Sequence, residues 1–248
     1  MYKLSQHDRR ELWSYIMPSI IGMTVAGSFS IVDTIFIGRA TGETGLAAVA
    51  VTWPLLMLVM AVGSLCGGGG AVLLSQARGA NEEPAAQSAF RMTWGLSLFF
   101  SLVLTLLLLP FLPPMLQAMG ADEQLLPQSL AYARIMLGGL VLSVLLGMFI
   151  EMIRNDGSPK LAMWMVVLGL LINAALDWYF IMQLGWGVSG AAWASIIGEA
   201  LSAAVGVYYF CSRHTTLRFP LCLRQEDWNR TGEILRTGTP IFGSSIAI

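Results

Sequence analysis

Six long apolar stretches limit what this chain can fold into. A helix that crosses the hydrocarbon core of a bilayer needs about 20 consecutive, mainly apolar residues. Of the 248 residues, 56% are hydrophobic and only 12% are charged, whereas about a quarter of residues are charged in soluble proteins. The sequence therefore predicts an all-α integral membrane protein with six helical spans. These lie near residues 13–37, 52–75, 92–114, 134–154, 161–183 and 188–211.

Another apolar stretch follows a longer polar connector. We predict three parts, namely a six-span N-terminal lobe over residues 1–211, a connector over 212–237, and the start of a further span over 238–248. Because this last stretch is too short to cross a bilayer, we expect the sequence to be a piece of a longer protein. The alternative is that a second copy or a partner supplies the missing half.

The distribution of Lys and Arg predicts the orientation of the spans. Twelve of the 14 basic residues fall on one side of the membrane, together with the N-terminus and the connector. Arg39 and Arg134 fall on the other side. Positively charged residues near the ends of spans are retained on the cytoplasmic side. We therefore expect the N-terminus and the connector to be cytoplasmic.

Two aspartates inside predicted spans are the first candidates for function. An ionisable side chain at the centre of a span costs about 2.5–3.5 kcal/mol on insertion scales, so such residues are functional candidates by default. Asp33 lies near the outer end of span 1, and Asp177 lies at a similar depth in span 5. Two carboxylates on different helices at matching depth could share one cation or one proton. The alternative is a structural buried acid with a neutral partner.

Two neutral polar residues could complete the same site. Asn173 stands four residues before Asp177 and therefore on the same helix face, and Ser195 lies eight residues into span 6. Both side chains offer an oxygen at a level similar to that of the carboxylates. The alternative for each is a hydrogen bond between helices, which small polar residues commonly form in membranes.

Three further residues have distinct interpretations. Glu199, near the middle of span 6, is a candidate cavity acid, and it either faces the cavity or is protonated and bonded to a neighbouring helix. Glu151 lies within one turn of Arg154 at the inner end of span 4, where an interfacial ion pair is the simpler interpretation. Pro18 removes one backbone hydrogen bond early in span 1, so we predict a hinge there.

Other signals argue against several classes of protein. The glycine run 67–70 is not followed by Lys-Ser/Thr, so we interpret it as a close helix contact or local unwinding rather than a phosphate loop. The three cysteines show no C-x-x-C spacing. The sequence has no evident nucleophile–base pair that would indicate an enzyme and no metal-ligand cluster that would indicate a metalloprotein. It also has no excess of basic residues that would indicate a nucleic-acid-binding protein. We expect no cofactor, and no metal beyond a Na⁺ ion at Asp33, Asn173 and Asp177.

Several short motifs gain meaning when they are taken together. Pro18 is followed by Asp33 and by Ile37-Gly38 at the end of span 1, and Trp53-Pro54 opens span 2. With the motifs given below, they resemble the multidrug and toxic compound extrusion (MATE) family, and among its branches the bacterial MepA-like group. The resemblance covers the whole chain. The other matching motifs are Ser75-Gln76 with Gly79, residues 154–160, Asn173 with Asp177, and residues 187–192.

The resemblance implies a MATE-type bundle of two six-span lobes around a central cavity, of which this chain has the N-terminal lobe. It implies an antiporter that exports amphiphilic, often cationic drugs or toxic compounds across the bacterial cytoplasmic (inner) membrane in exchange for H⁺ or Na⁺. Its partners would be small amphiphilic organic substrates, membrane lipid and the missing C-terminal lobe, with no nucleic acid. The family's N-lobe cation site matches Asp33, Asn173 and Asp177, with Ser195 where members often have threonine.

Two other functions stay open at this point. A flippase for a lipid-linked precursor shares the wider superfamily architecture but would need a larger and more basic cavity, whereas the charged residues inside these spans are acidic. An inactive half-module would only assemble with other membrane proteins. It would bind neither a cation nor a drug.

Overall fold

The computed structural model describes residues 6–212, 215–219 and 224–246, and all regular secondary structure in these residues is helical. The predicted all-α membrane fold is confirmed. Residues 1–5, which include Lys3, and residues 213–214, 220–223 and 247–248 lie outside the described ranges. The α-helices are α1 (Gln6–Gly79), α2 (Glu83–Leu108), α3 (Leu112–Ala118), α4 (Leu126–Gly138), α5 (Leu140–Asn155), α6 (Pro159–Asp177), α7 (Gly187–Cys211) and α8 (Thr231–Ile246).

α1 contains the first two predicted spans, which meet at Gly42. At 1.5 Å per residue, a straight helix of 74 residues would be about 110 Å long, far more than the hydrocarbon core of about 30 Å. Gly42 interrupts the helix with φ 65° and ψ −152°, a conformation that glycine tolerates because it has no Cβ. We call residues 6–41 the first arm of α1 and residues 43–79 its second arm, and each arm is one crossing.

The fourth span is bent rather than straight. α4 and α5 meet at Gly139 with an angle of 51° between them. A Cβ on Gly139 would lie only 2.0 Å from Cδ1 of Ile196 in α7. Glycine at this position therefore allows the bent span to approach α7. The span begins at Leu126 instead of near residue 134, because its first turns are too polar for a scan of apolar residues. If the two arms of α1 are counted separately because of the break at Gly42, this bent span, the two arms, α2, α6 and α7 give six segments in the described residues that are long and apolar enough to cross a membrane.

Polar contacts tie several spans together at one end of the bundle, which we call the basic end. Arg78, at the end of α1, donates to the carboxylate of Asp156 in the turn between α5 and α6. Nη1 of Arg78 also lies 2.5 Å from Oε1 of Glu83 in α2. The Tyr209 hydroxyl of α7 donates to the second oxygen of Asp156 at 2.9 Å. These contacts fix the ends of α1, α2, α5 and α7 to one another.

The segment that precedes α8 is anchored to α2 through Asp227. Nε of Arg91 lies 2.8 Å from Oδ2 of Asp227, and Oγ of Ser88 donates to Oδ1 at 2.7 Å. The backbone N–H of Arg224 donates to Oδ2 at 2.8 Å. Burial raises the pKa of Asp227, but these hydrogen bonds from Arg91, Ser88 and Arg224 outweigh it and lower the pKa from 3.8 to about 2. Asp227 is therefore a charged anchor at neutral pH.

α8 begins within the predicted connector, at Thr231 rather than at Gly238. Glu233 and Arg236 hid its first turns from a scan for apolar residues. Both side chains are exposed, whereas Ile234 between them is fully buried. The first turns of α8 therefore have one polar and one apolar face.

α8 packs backbone to backbone against the second arm of α1. A Cβ on Gly69 would lie 2.2 Å from the carbonyl oxygen of Ile234, and a Cβ on Gly238 would lie 2.0 Å from that of Leu65. Such an approach requires residues without a side chain at both positions. The predicted close contact at residues 67–70 is thus confirmed, and these residues stay helical rather than unwound.

Candidate cation site and cavity

Four predicted site residues meet near the end of the bundle opposite the basic end. Asp33 comes from the first arm of α1, Asn173 and Asp177 from the last turns of α6, and Ser195 from α7. Asn173 and Asp177 are fully buried, Ser195 is 2% exposed and Asp33 is 8% exposed. Asp33 lies close to both Asp177 and Asn173. We call these four residues the carboxylate cluster.

Close packing of α6 and α7 brings Asn173 and Ser195 together. A Cβ on Gly198 would lie 3.1 Å from the carbonyl oxygen of Gly169 and 3.4 Å from the backbone nitrogen of Asn173. This approach allows Nδ2 of Asn173 to donate a hydrogen bond to Oγ of Ser195 at 3.3 Å. The amide nitrogen of Asn173 is thus held by Ser195, whereas the amide oxygen has no hydrogen-bond partner among the described residues.

The oxygens of the carboxylate cluster are poorly supplied with hydrogen-bond donors. Both oxygens of Asp177, Oδ1 of Asn173 and Oδ1 of Asp33 are buried and accept no hydrogen bond from the described residues. Buried polar atoms are normally paired, because an unpaired one loses its solvation without compensation. Several unpaired acceptors at one place suit a proton or a hard cation, which prefers oxygen ligands. Within the described part of the chain, no three His, Cys, Asp or Glu side chains form a metal group.

α6 changes its winding directly after Asp177. Residues Trp178–Gln183 form a π-helical segment, a wide turn that is rare and frequently found at functional sites. Ile181 of this segment is buried in an apolar cluster that also contains Ile37 of α1 and Val188 of α7. The same three elements that carry the carboxylate cluster are therefore held together by apolar packing next to it.

A cavity of about 740 Å³ lies beside the carboxylate cluster. Asp33 and Ser195 reach its wall, whereas Asn173 and Asp177 do not. Its volume is within the range of about 300–1,000 Å³ that is typical of sites for drug-sized molecules. The wall is mostly apolar and includes four methionines and three aromatic residues, namely Met57, Met60, Met136, Met165, Phe29, Trp53 and Tyr132.

Tyr132 is a site residue that the sequence did not indicate. It lies in α4, is 3% exposed, and is close enough to interact electrostatically with Asp33, Asp177 and Glu199. The predicted start of span 4 near residue 134 left Tyr132 in a loop. The signal that could have found it is the hydrophobic periodicity of Leu126 to Leu137, which extends the helix through Tyr132.

The remaining predicted residues lie apart from the carboxylate cluster. Glu199 lines the cavity and accepts a hydrogen bond from Oγ of Ser143 in α5. Oε1 of Glu151 lies 3.0 Å from Nη1 of Arg154, which confirms the predicted ion pair. Pro18 is buried in the first arm of α1, whose backbone continues as a helix through it. The hinge at Pro18 therefore stays a prediction.

Comparison with known proteins assigns the fold to a family. A family model described as MatE matches residues 18–179, which is more than half of the chain. The chain belongs to the MatE family. The matched residues of this MATE chain include Pro18, Asp33, Asn173 and Asp177, and Ser195 and Glu199 lie beyond them. The predicted membership is confirmed. The prediction that the chain is not an enzyme is also confirmed, because its relatives are named multidrug export proteins.

Individual relatives agree with this assignment. "Multidrug export protein MepA" of Staphylococcus aureus (strain MSSA476) is 24% identical over 239 residues, which cover 96% of the MATE chain and 52% of the relative. A solved structure of a multidrug resistance MATE family transporter in an outward-facing conformation matches with a TM-score of 0.85 and 28% identity, over 93% of this chain and 51% of that one. A MATE structure in the straight conformation matches with a TM-score of 0.86 and 28% identity, over 95% and 53%. The chain thus spans about half the length of the relatives it matches.

Proposed function

We propose that this chain forms the N-terminal lobe of a secondary active antiporter that exports amphiphilic, often cationic compounds in exchange for H⁺ or Na⁺. The observation that carries the proposal is the group of buried, unpaired oxygens of Asp33, Asn173 and Asp177 beside a cavity of about 740 Å³. One feature suits a small coupling ion and the other suits a drug-sized molecule. The names of the relatives, which include multidrug export proteins, support the same direction of transport.

The carboxylate cluster offers a physical route for coupling. Its residues come from α1, α6 and α7, so the energy of packing these helices depends on whether the carboxylates are charged or neutralised. An ion that binds the packed arrangement better than the loosened one shifts the equilibrium between them by its difference in affinity. Asp33 belongs both to the carboxylate cluster and to the cavity wall, so the charge state of the cluster is also felt by a molecule in the cavity.

The proposed orientation follows from the positive charges. The basic end of the bundle contains Arg78, Arg91 and Arg154. Positively charged residues at the ends of spans favour the cytoplasmic side of the membrane, so we place the basic end there. The carboxylate cluster would then lie in the outer half of a bacterial cytoplasmic (inner) membrane. A C-terminal lobe would complete the cavity, and lipid would cover the exposed apolar faces of the spans.

A flippase for anionic lipid-linked precursors is a weaker candidate. Among the described residues that line the cavity of about 740 Å³, Asp33 and Glu199 are acidic and none is Lys or Arg. Negative charge on the wall favours a cationic occupant over a pyrophosphate-bearing one. The proposal of an inactive half-module has no observation in its favour.

The proposal is tested by efflux from sealed vesicles that contain the full-length protein under an imposed proton or sodium gradient. Asp33→Asn and Asp177→Asn should each abolish ion-driven efflux and leave some drug binding. Because both residues act in one unit, the double variant should be little worse than either single variant. Glu151→Gln, which alters an acid at the basic end, is the matched control and should transport normally. Wild-type rates of ion-driven efflux in both aspartate variants would refute the shared site.

A further inference from the structure

Glu199 is an acid in the middle of a span that the carboxylate cluster does not use. Its side chain is half-buried and, among the described residues, has no ion-pair partner. One carboxylate oxygen, Oε2, accepts a hydrogen bond from Oγ of Ser143. The carboxylate lies on the cavity wall. An acid kept there without a basic partner is costly unless something on the cavity side compensates its charge.

Glu199 is separate from the carboxylate cluster. It follows Ser195 by one helical turn on the same face of α7, which is about 6 Å closer to the basic end. Ser143, which holds it, lines both the cavity of about 740 Å³ and a neighbouring cavity of about 380 Å³. Ser143 therefore places Glu199 next to the junction of the two cavities, whereas Asp33 lines only the larger cavity, and Asp177 and Asn173 line neither.

The surroundings of Glu199 select the kind of cation that it can accept. The cavity wall provides thioether and aromatic side chains, such as Met136, Met165 and Trp53, and few polar groups that could replace a hydration shell. A strongly hydrated inorganic ion would lose its water there without replacement. A bulky organic cation is weakly hydrated, and its apolar groups gain from burial against methionine and aromatic side chains.

We propose that Glu199, held by Ser143, is the counter-ion for the cationic group of an organic monocation in this cavity, at a site distinct from the carboxylate cluster. This inference rests on the proposed export function and assigns substrate charge recognition to one residue. The cluster serves the coupling ion, and Glu199 serves the substrate. Amphiphilic cations and neutral molecules of the same shape are therefore distinguished at Glu199.

The test compares two probes of similar shape that differ in charge. Binding of tetraphenylphosphonium, a lipophilic monocation, and of triphenylphosphine oxide, which is neutral, is measured on the purified full-length protein. Glu199→Gln should raise the Kd of tetraphenylphosphonium about tenfold or more, because a charge-assisted contact is lost. The Kd of triphenylphosphine oxide should stay unchanged. Ser143→Ala should weaken the phosphonium selectively but less, since it frees the carboxylate without removing its charge.

Three controls keep the outcomes distinct. Glu199→Asp retains the charge and should keep most of the preference for the cation, which guards against a fold defect in the glutamine variant. Glu151→Gln removes an acid that is already paired with Arg154 and should not change the preference. Gradient-driven efflux of tetraphenylphosphonium in Glu199→Gln should need a higher concentration of the cation, because its binding is weakened, and should still depend on the imposed gradient, because the carboxylate cluster is intact.

Two results would overturn the inference. Equal loss of affinity for both probes in Glu199→Gln would make Glu199 a packing residue. Unchanged phosphonium binding together with lost gradient-driven efflux would make it a coupling residue. Failure of the proposed function looks different, because the wild-type protein itself would then show no gradient-driven efflux of either probe, whatever its binding preference.

Discussion

Replacement of Gly69 by alanine should weaken the contact between α8 and the second arm of α1. The new Cβ would lie 2.2 Å from the carbonyl oxygen of Ile234 and 3.0 Å and 3.1 Å from the backbone nitrogen and Cα of Gly238. All three neighbours are backbone atoms, so no side-chain rotation relieves the overlap. Overpacking of this kind typically costs about 1–3 kcal/mol. The higher helix propensity of alanine does not offset this cost, because α1 is helical whether or not α8 is in contact.

A cost of about 1–3 kcal/mol lowers the equilibrium constant for the packed arrangement by about 5- to 150-fold. The reporter is a disulfide between cysteines at Gly68 and Ile241. A Cβ on Gly68 would lie 3.8 Å from Cβ of Ile241, a separation typical of disulfides. In a background without the native cysteines, this pair should cross-link rapidly in membranes, and Gly69→Ala should slow the reaction.

The matched controls are Gly27→Ala in α1 and Gly243→Ala in α8. Neither added Cβ would have a neighbour within 4 Å, so neither variant should slow cross-linking. If Gly69→Ala cross-links as fast as these controls, the backbone contact described for α1 and α8 does not hold in the membrane.

Three further predictions concern other parts of the chain. Hydrogen bonds from Arg91, Ser88 and the Arg224 backbone outweigh burial, which raises the pKa of Asp227, and lower that pKa from 3.8 to about 2. These contacts should therefore add about 2 kcal/mol of stability above pH 4 that is lost as the pH falls through about 2. The difference in Tm between wild type and Asp227→Asn, measured across pH 2–5, should close at the acid end, and a constant difference would exclude the titration of Asp227. Pro18→Ala should slow turnover in vesicles more than it weakens drug binding, whereas unchanged kinetics would leave Pro18 without a gating role. A cysteine at an exposed position of the connector 212–237 should react with an impermeant reagent only from the cytoplasm. One at an exposed position of 122–129 should react only from outside, and the reverse pattern would invert the proposed orientation.

The carboxylate cluster was largely predictable, because the position of a residue within an apolar span indicates its depth in the membrane. Asp33 and Asp177 are acids at matching depth in long apolar stretches, and Asn173 shares a helix face with Asp177 by its spacing. The contact of α6 and α7 was not predictable in the same way, since nothing in the spacing of Gly169 and Gly198 says that they face each other. Their close approach explains why Asn173 meets Ser195.

The errors share one physical cause. Apolar scanning finds the part of a helix that lies in hydrocarbon and omits polar turns that continue it. This moved the start of span 4 past Tyr132 and the start of α8 past Ile234, which is fully buried. The turn at Gly42 was predicted correctly, because the lengths of the two apolar stretches alone separate the helices on either side of it. Backbone contacts such as that of Gly69 with Ile234 depend on the relative placement of distant segments, which no local pattern encodes.

The division of the carboxylate cluster between wall and interior has a consequence for the order of events. Asp33 and Ser195 reach the cavity, while Asn173 and Asp177 lie behind them and are fully buried. In the proposed antiporter, an ion that enters the carboxylate cluster from the cavity would meet Asp33 before Asp177. A bulky substrate that fills the cavity would cover Asp33, so ion and substrate would use this route in turn. In the proposed antiporter, exchange by this route would be sequential, and a substrate in the cavity would block ion leakage.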